Sequence, residues 1–258
     1  MRIARDYLQC VVYIYPDEAS AYEGKWAGGS GFLVHSERHG GDFVVTNRHV
    51  IKEMNAPVVR VSCKDGTPDV ILTNPHRWLN HPEGDDVAAV PFPQYSAEKH
   101  STIPVYEGAF LTIPMIADRN IGIGDQVAMI GRLIDHDGKI TNTPTARFGF
   151  ISMMPAEKDI DEFENEHEIF LVDCQSIRGF SGSPVFFLPP TTAASDDALL
   201  NVENKLLGID YKHVSDQEPV RTKGGDKVDG LYVKANSGIA GVIPAWRIAT
   251  LFDHLARK

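Results

Sequence analysis

Three short segments of the chain carry the side chains that acyl transfer needs. In Val44-Val45-Thr46-Asn47-Arg48-His49-Val50-Ile51 an apolar run enters a turn that presents His49. In Gly84-Asp85-Asp86-Val87-Ala88-Ala89-Val90 an acidic pair stands immediately before a small apolar run. In Arg178-Gly179-Phe180-Ser181-Gly182-Ser183-Pro184-Val185-Phe186 a serine has glycines two residues before it and one residue after it. A serine hydroxyl is a poor nucleophile at neutral pH and needs a base within hydrogen-bond reach. The base needs a third group to fix its tautomer and to stabilise the imidazolium it becomes. Glycines beside Ser181 let the backbone turn tightly and bring N–H groups against a bound carbonyl. Each segment also has a plainer reading: a structural histidine, a common acidic tripeptide, a Gly/Ser/Pro hairpin turn. The ordered combination is what points to nucleophilic catalysis.

The elements that must position these residues are short β-type runs separated by Gly, Pro, Asn and Asp. The pattern predicts strands at Val11 to Tyr15, Gly31 to His35, Asp42 to Thr46, Val58 to Cys63 and Val70 to Thr73. A second series is predicted at Gln126 to Ile130, Thr145 to Met153, Ile169 to Cys174, Pro184 to Leu188, Lys205 to Tyr211, Leu231 to Lys234 and Ile239 to Ile243. Many short strands at this spacing indicate a sandwich or a pair of barrels. The one long helix is terminal: Pro244 suits its first turn, and Ile248, Leu251, Phe252 and Leu255 recur at helical spacing. Pro189 to Asn204 reads as an inserted loop and Lys212 to Gly230 as a second, polar loop. A division near Pro114 to Asn120 gives residues 1–118, with His49 and Asp86, and residues 119–258, with Ser181 and the helix.

Composition narrows the class. A chain of 258 residues with 43% hydrophobic residues is long enough to bury a sizeable core and too apolar for disorder. No apolar run approaches the ~18 residues of a membrane span, and the start lacks a secretory h-region. A net charge of −10 argues against nucleic acid or an anionic membrane as partner. Much of that charge is local, with seven acidic residues and one lysine from Glu157 to Glu168, a solvated acidic loop or a regulatory one. Three widely spaced cysteines, Cys10, Cys63 and Cys174, form no disulfide framework and no zinc knuckle. Together these features predict a cytoplasmic protein. HExxH is absent, and His35 and His39 sit in loop-like SERHGG, so no metal is expected.

In chain order the segments resemble a trypsin-like serine peptidase of the chymotrypsin fold, and within that group the protease domain of HtrA/Deg-type enzymes. The resemblance spans roughly Val11 to Leu255. Its first half rests on Gly29-Ser30-Gly31-Phe32-Leu33-Val34, Thr46-Asn47-Arg48-His49-Val50 and Asp86-Val87-Ala88. Its second half rests on Gly124 to Gly131, Val172-Asp173 through Pro184, Gly208-Ile209-Asp210 and Gly241-Val242-Ile243-Pro244. The resemblance implies an all-β fold of two six-stranded antiparallel barrels with the active site between them. It implies Ser181 as nucleophile, His49 as base, and Asp86 as its orienting partner, preferred over Asp85 because it directly precedes Val-Ala. The N–H groups of Gly179 and Ser181 would form the oxyanion hole. Gln175, Gly208, Ile209 and Asp210 would line the substrate site. The implied activity is limited hydrolysis of protein or peptide substrates through an acyl-enzyme, with no cofactor.

The sequence departs from the family pattern in several places. Digestive-type relatives carry an aspartate before the nucleophile that pairs with a new N-terminus after activation; here the position is Phe180, and no activation site lies near residue 20. The oxyanion loop is therefore expected to be preformed, or ordered by neighbouring loops. No PDZ-like extension follows the terminal helix, so substrate choice is expected to rest on the cleft or on a separate regulatory protein. Gln175 stands where the family places the base of the specificity pocket, which favours an uncharged residue before the scissile bond; Asp173 and Asp210 lie nearby. Two other expectations stand beside the peptidase: a catalytically silent fold that binds peptides, and an esterase. The order His, Asp, Ser and the absence of GxSxG set aside an α/β-hydrolase.

Overall fold

The computed structural model describes residues 3–25, 28–155, 158–160, 166–189 and 204–255. Its first half contains β1 (Val11–Tyr15), β2 (Gly29–Ser36), β3 (Gly41–Thr46), β4 (Val58–Ser62), β5 (Pro68–Leu72), β6 (Leu79–Asn80), β7 (Ala88–Pro91) and β8 (Val105–Tyr106). They form one eight-stranded sheet in the order β5-β4-β1-β2-β3-β7-β6, and β8 adds to β2. That last pair is parallel; the others are antiparallel. All five residues of β1 are buried, as expected for an unbroken apolar run covered on both faces. The hydrogen-bonded path stays open between β5 and β6.

The second half contains β9 (Gln126–Gly131), β10 (Thr145–Met153), β11 (Lys158–Ile160), β12 (Glu166–Glu168), β13 (Phe170–Asp173), β14 (Pro184–Phe187), β15 (Lys205–Arg221) and β16 (Lys227–Pro244). Six of them close into an antiparallel barrel, β10-β13-β16-β15-β14-β9, and β11 pairs with β12 separately. On β10, Phe148 and Phe150 face outward while Gly149 and Ile151 face the interior, the two-residue alternation of a barrel wall.

β15 and β16 outgrow the barrel, and this corrects the reading of Lys212 to Gly230 as a polar loop. Their pairing continues from Asp216 opposite Ala235 to Arg221 opposite Lys227. A two-stranded arm with solvent on both faces needs no apolar alternation, so its composition looks like a loop. Pro189 to Asn204, read as an insertion, lies almost wholly outside the described residues.

Four helices of four to six residues, α1 (Arg5–Leu8), α2 (Glu18–Glu23), α3 (Arg48–Ile51) and α4 (Ile113–Asp118), precede α5 (Ala245–Leu255). α5 packs on β15 and β16 and reaches across to the first sheet. The Phe252 ring lies 4.8 Å from that of Phe43, and Arg38 pairs with Asp253 at 2.8 Å. No helix among the described residues is long and apolar enough to cross a membrane. Cys10, Cys63 and Cys174 are free and buried.

Arg60 of β4 ties the halves together. Fully buried, it donates to Ala21 O, Lys139 O, Gly138 O and Asn142 Oδ1 at 2.9–3.0 Å. Its guanidinium also faces the Tyr13 and Tyr15 rings at 5.5 and 5.0 Å. A buried charge of this kind is tolerable only when hydrogen-bonded throughout.

Candidate active site

β3 ends at Thr46, and the chain turns through Asn47 into α3, which carries His49. Asn47 anchors the turn by donating from Nδ2 to Asp86 O at 2.9 Å. Asp86, just ahead of β7, grips the histidine twice: Oδ1 accepts the His49 backbone N–H at 2.8 Å, and Oδ2 lies 2.5 Å from Nδ1. With Nδ1 committed to the carboxylate, Nε2 is the nitrogen left free to act as a base. The carboxylate side chain is 13% exposed and the imidazole 42%, so the pair opens on the histidine side.

Asp85 points elsewhere. Its carboxylate, 1% exposed, accepts from His167 Nδ1 at 3.1 Å and from Arg247 Nε of α5, and lies 3.2 Å from His81 Nδ1. Burial alone would raise its pKa; the His167 and Arg247 hydrogen bonds and the nearby positive charge more than offset this and hold it below the usual carboxylate value. Two adjacent aspartates therefore have separate tasks, one orienting His49 and one pinning α5 and β12 beside it. The same contacts show that the C-terminal end of the acidic run is docked: His167 is buried, and Glu168 Oε2 accepts from Trp246 Nε1 at 3.1 Å. Glu157 and residues 161–165 of that run lie outside the described residues.

The serine segment comes from the other half and fits against the first. Ser30, on β2, is fully buried. Its N–H donates to Ser181 O at 2.9 Å, and its Oγ donates to Gly179 O at 2.8 Å and accepts the Arg132 N–H at 3.0 Å. Gly182 has φ +87°, and a Cβ there would lie 2.0 Å from Ser30 O; only glycine fits. Gly179 has φ +99°, again a conformation that side chains rarely adopt. A Cβ on Gly29 would meet Ser181 O at 2.8 Å and the Val50 side chain at 2.9 Å, so the serine turn and the residue after His49 flank the same strand.

The N–H groups of Gly179 and Ser181 donate to no acceptor among the described residues, whereas those of Phe180, Gly182 and Ser183 are used, by Ile177 O, Asp210 O and Phe180 O. Two free donors beside a serine are what an oxyanion needs. No hydrogen bond joins Ser181 Oγ to His49 among the described residues; such bonds often tighten only when substrate is bound. Phe180 is fully buried in the barrel core with Val127, Met129, Val185 and Leu207. The turn that carries Gly179 and Ser181 is held by an apolar anchor, Phe180, and by Ser30, where the sequence suggests either a preformed loop or support from neighbouring loops.

Of the residues expected to line the substrate site, Gln175 is exposed and Ile209 is sealed in the core. Gly208 packs so that a Cβ would lie 2.0 Å from Ile243 O. Asp210 alone offers a buried polar side chain next to the nucleophile segment. Sequence alone does not mark Ser30 as a site residue; the glycines that flank it are its local signal. Among the described residues one grouping of possible metal donors lies elsewhere, Cys63, Asp69 and His100. There His100 Nδ1 accepts the Ser96 N–H at 3.0 Å, which leaves Nε2 as the protonated donor to Asp69 at 2.9 Å. Lys99 Nζ occupies the same carboxylate oxygen, so the set satisfies itself.

An open sheet and a closed barrel, with a histidine–aspartate pair on one and a glycine-flanked serine turn of the other docked beside it, define the chymotrypsin-like class of fold. The family model for the trypsin-like peptidase domain matches residues 29–187, more than half of the chain, and the protein belongs to that family. Among solved structures it is similar to the MamO protease domain of Magnetospirillum magneticum in its apo form, with 16% identity, a TM-score of 0.60 and coverage of 96% of this chain and 98% of that one. It is also similar to the inactive form of the Rv3671c protease of M. tuberculosis, with 17% identity, a TM-score of 0.54 and coverage of 96% and 89%. The HtrA-type protease AlgW, solved with a decapeptide, gives 17% identity, a TM-score of 0.52 and coverage of 90% and 52%. At these identities the likeness is one of fold. No curated protein sequence matches the chain.

Proposed function

We propose that the protein is a serine endopeptidase acting on protein or peptide substrates through an acyl-enzyme on Ser181. The observation that supports this most strongly is the double grip of Asp86 on His49, beside a serine turn that keeps two backbone donors free. Ser181 Oγ attacks the scissile carbonyl carbon while its proton passes to His49 Nε2. The oxyanion accepts from the N–H groups of Gly179 and Ser181. Collapse breaks the C–N bond, and the amine leaves with the proton from His49. Water, deprotonated by the same imidazole, then cleaves the ester. Asp86 keeps the ring tautomer correct and stays ionised opposite the imidazolium.

The test is fluorophosphonate labelling of the purified protein, located by mass spectrometry, beside Ser181→Ala and His49→Ala. Label on Ser181, absent from both variants, is the expected result. The missing Ser181–His49 hydrogen bond favours one competing reading, a silent peptide-binding fold. A folded protein that takes no label, alone or with cell lysate added, would overturn the peptidase reading and leave the silent fold.

Ser30 acts as a positioning residue in this scheme. Ser30→Ala keeps the main-chain bond to Ser181 but frees Gly179 O and the Arg132 N–H, so the oxyanion donors lose their alignment. We expect kcat to fall by about ten- to a hundred-fold with KM little changed, and Ser30→Thr to restore part of it. Steady-state kinetics showing an unchanged kcat would remove Ser30 from this role.

A further inference from the structure

We propose that a groove bordered by α1, the end of β4 and the segment leading into β8 binds a nucleotide. The groove stands apart from the peptidase reading, because His49, Asp86 and Ser181 line no part of it.

Two adjoining hollows make the groove, and Lys64 and Thr102 border both. The first, of about 480 Å³, lies where the halves meet, lined by Arg5 of α1, by Ser62 and Lys64 at the end of β4, and by Thr141 and Thr143 between β9 and β10. Its chemistry is that of an anion site. In a chain of net charge −10, the lining holds two cations and no carboxylate. Arg5 and Lys64 form no ion pair among the described residues. Thr102 is 3% exposed, and its hydroxyl, like those of Thr141 and Thr143, has no hydrogen-bond partner among the described residues. Ser62 Oγ accepts the Asn142 N–H at 3.0 Å, which leaves its own proton to be donated. A buried hydroxyl calls for a partner, and phosphate oxygens supply several acceptors at once. The Arg5 fork suits two of them, and Lys64 adds a point charge.

The second hollow, of about 710 Å³, is lined by the rings of His35, Tyr95, His100 and Tyr106. Both volumes fall within the range of small-molecule sites. The rings hold one another. Tyr95 stacks on His100 with centroids 5.6 Å apart, and its hydroxyl donates to Thr102 O at 3.0 Å. His35 meets Tyr106 edge-on at 5.3 Å. Asp42, the one carboxylate of this lining, lies 2.9 Å from His35 Nδ1. Tyr106 nevertheless stays 58% exposed, so it offers a flat heterocycle a surface to stack on. An anion site that opens onto aromatic rings, with a lysine at the junction, fits a ligand with phosphate at one end and a base at the other. A phosphate alone would leave the second hollow empty, and a nucleoside alone would leave Arg5 and Lys64 unpaired. The negative charge of the chain, which opposes a long polyanion, weighs little against a ligand of two or three charges.

Titration calorimetry of the full chain at constant ionic strength is the test, with ADP, GDP and UDP as probes beside pyrophosphate and adenosine. At least one nucleotide is expected to bind saturably, one per chain, and about tenfold or more tighter than either pyrophosphate or adenosine. Arg5→Ala and Lys64→Ala should each weaken it about tenfold. Tyr106→Ala should weaken the nucleotide about tenfold and leave pyrophosphate unchanged. All three side chains are exposed, so the variants are expected to fold, and matching thermal midpoints without ligand check this. Ser181→Ala should bind as wild type does, whatever becomes of the peptidase reading. No saturable binding of any nucleotide, or undiminished binding by the Arg5→Ala, Lys64→Ala double variant, overturns the proposal. Pyrophosphate binding as tightly as the nucleotides would reduce the groove to an anion site and overturn the nucleotide. Adenosine binding as tightly as ADP would overturn the phosphate end.

Discussion

An Asp86→Asn variant should fold normally and turn over substrate about 10⁴-fold more slowly than wild type, the magnitude seen when the orienting aspartate of such a triad is amidated. The reason lies in the two bonds that Asp86 makes. One oxygen accepts the His49 backbone N–H at 2.8 Å and the other faces Nδ1 at 2.5 Å. Asparagine has a single oxygen. If it keeps the backbone bond, its NH2 group faces Nδ1, and the ring proton must move to Nε2, the atom that has to accept the serine proton. The base disappears while the shape is kept. Steady-state kcat and a thermal midpoint measured together test this. Activity within tenfold of wild type would exclude Asp86 from the orienting role.

Phe180→Ala should reduce stability by roughly 3–5 kcal/mol, the usual range for removing a fully buried phenylalanine, and should lower kcat as well. The ring is 0% exposed, Arg147 stacks over it at 5.3 Å, and a Cβ on Gly131 would meet it at 2.9 Å. It lies between the two residues whose N–H groups would hold the oxyanion, so emptying its site frees both from one side. Phe180→Leu, with most of the volume retained, should give an intermediate loss in both quantities. Urea unfolding measures the first effect, and the rate of Ser181 phosphonylation measures the second. A destabilised variant that reacts at the wild-type rate would show that Ser30 alone aligns the loop.

The sequence was informative wherever function follows from local order. Val11 to Tyr15 and Thr145 to Met153 have strand boundaries that can be read from apolar residues and breakers alone, because each is bounded by turn formers. Asp86 could be preferred over Asp85 because it abuts the strand that anchors it. The outer half of β15 and β16 could not be read, since an arm wet on both faces carries no burial pattern. Nor could the grip on Asp85: His167 is 82 positions away and Arg247 is 162 positions away, and nothing local announces a contact of that range. Asp210 looks like the polar end of a strand in sequence. Only the fold bonds its main chain to Gly182 and Ser183.

The fit between Gly182 and Ser30 restricts how this molecule can move. Swinging the halves apart would break the Ser30–Ser181 and Ser30–Gly179 bonds and strip Arg60 of its acceptors at Gly138, Lys139 and Asn142 in a single step. These bonds must all break together, so they oppose slow hinge opening of the kind that gates many two-part enzymes on the microsecond-to-millisecond scale. A frame held this way directs movement to the surface segments around it, and a pair of spin labels placed across the two halves is expected to read one distance with and without a bound peptide.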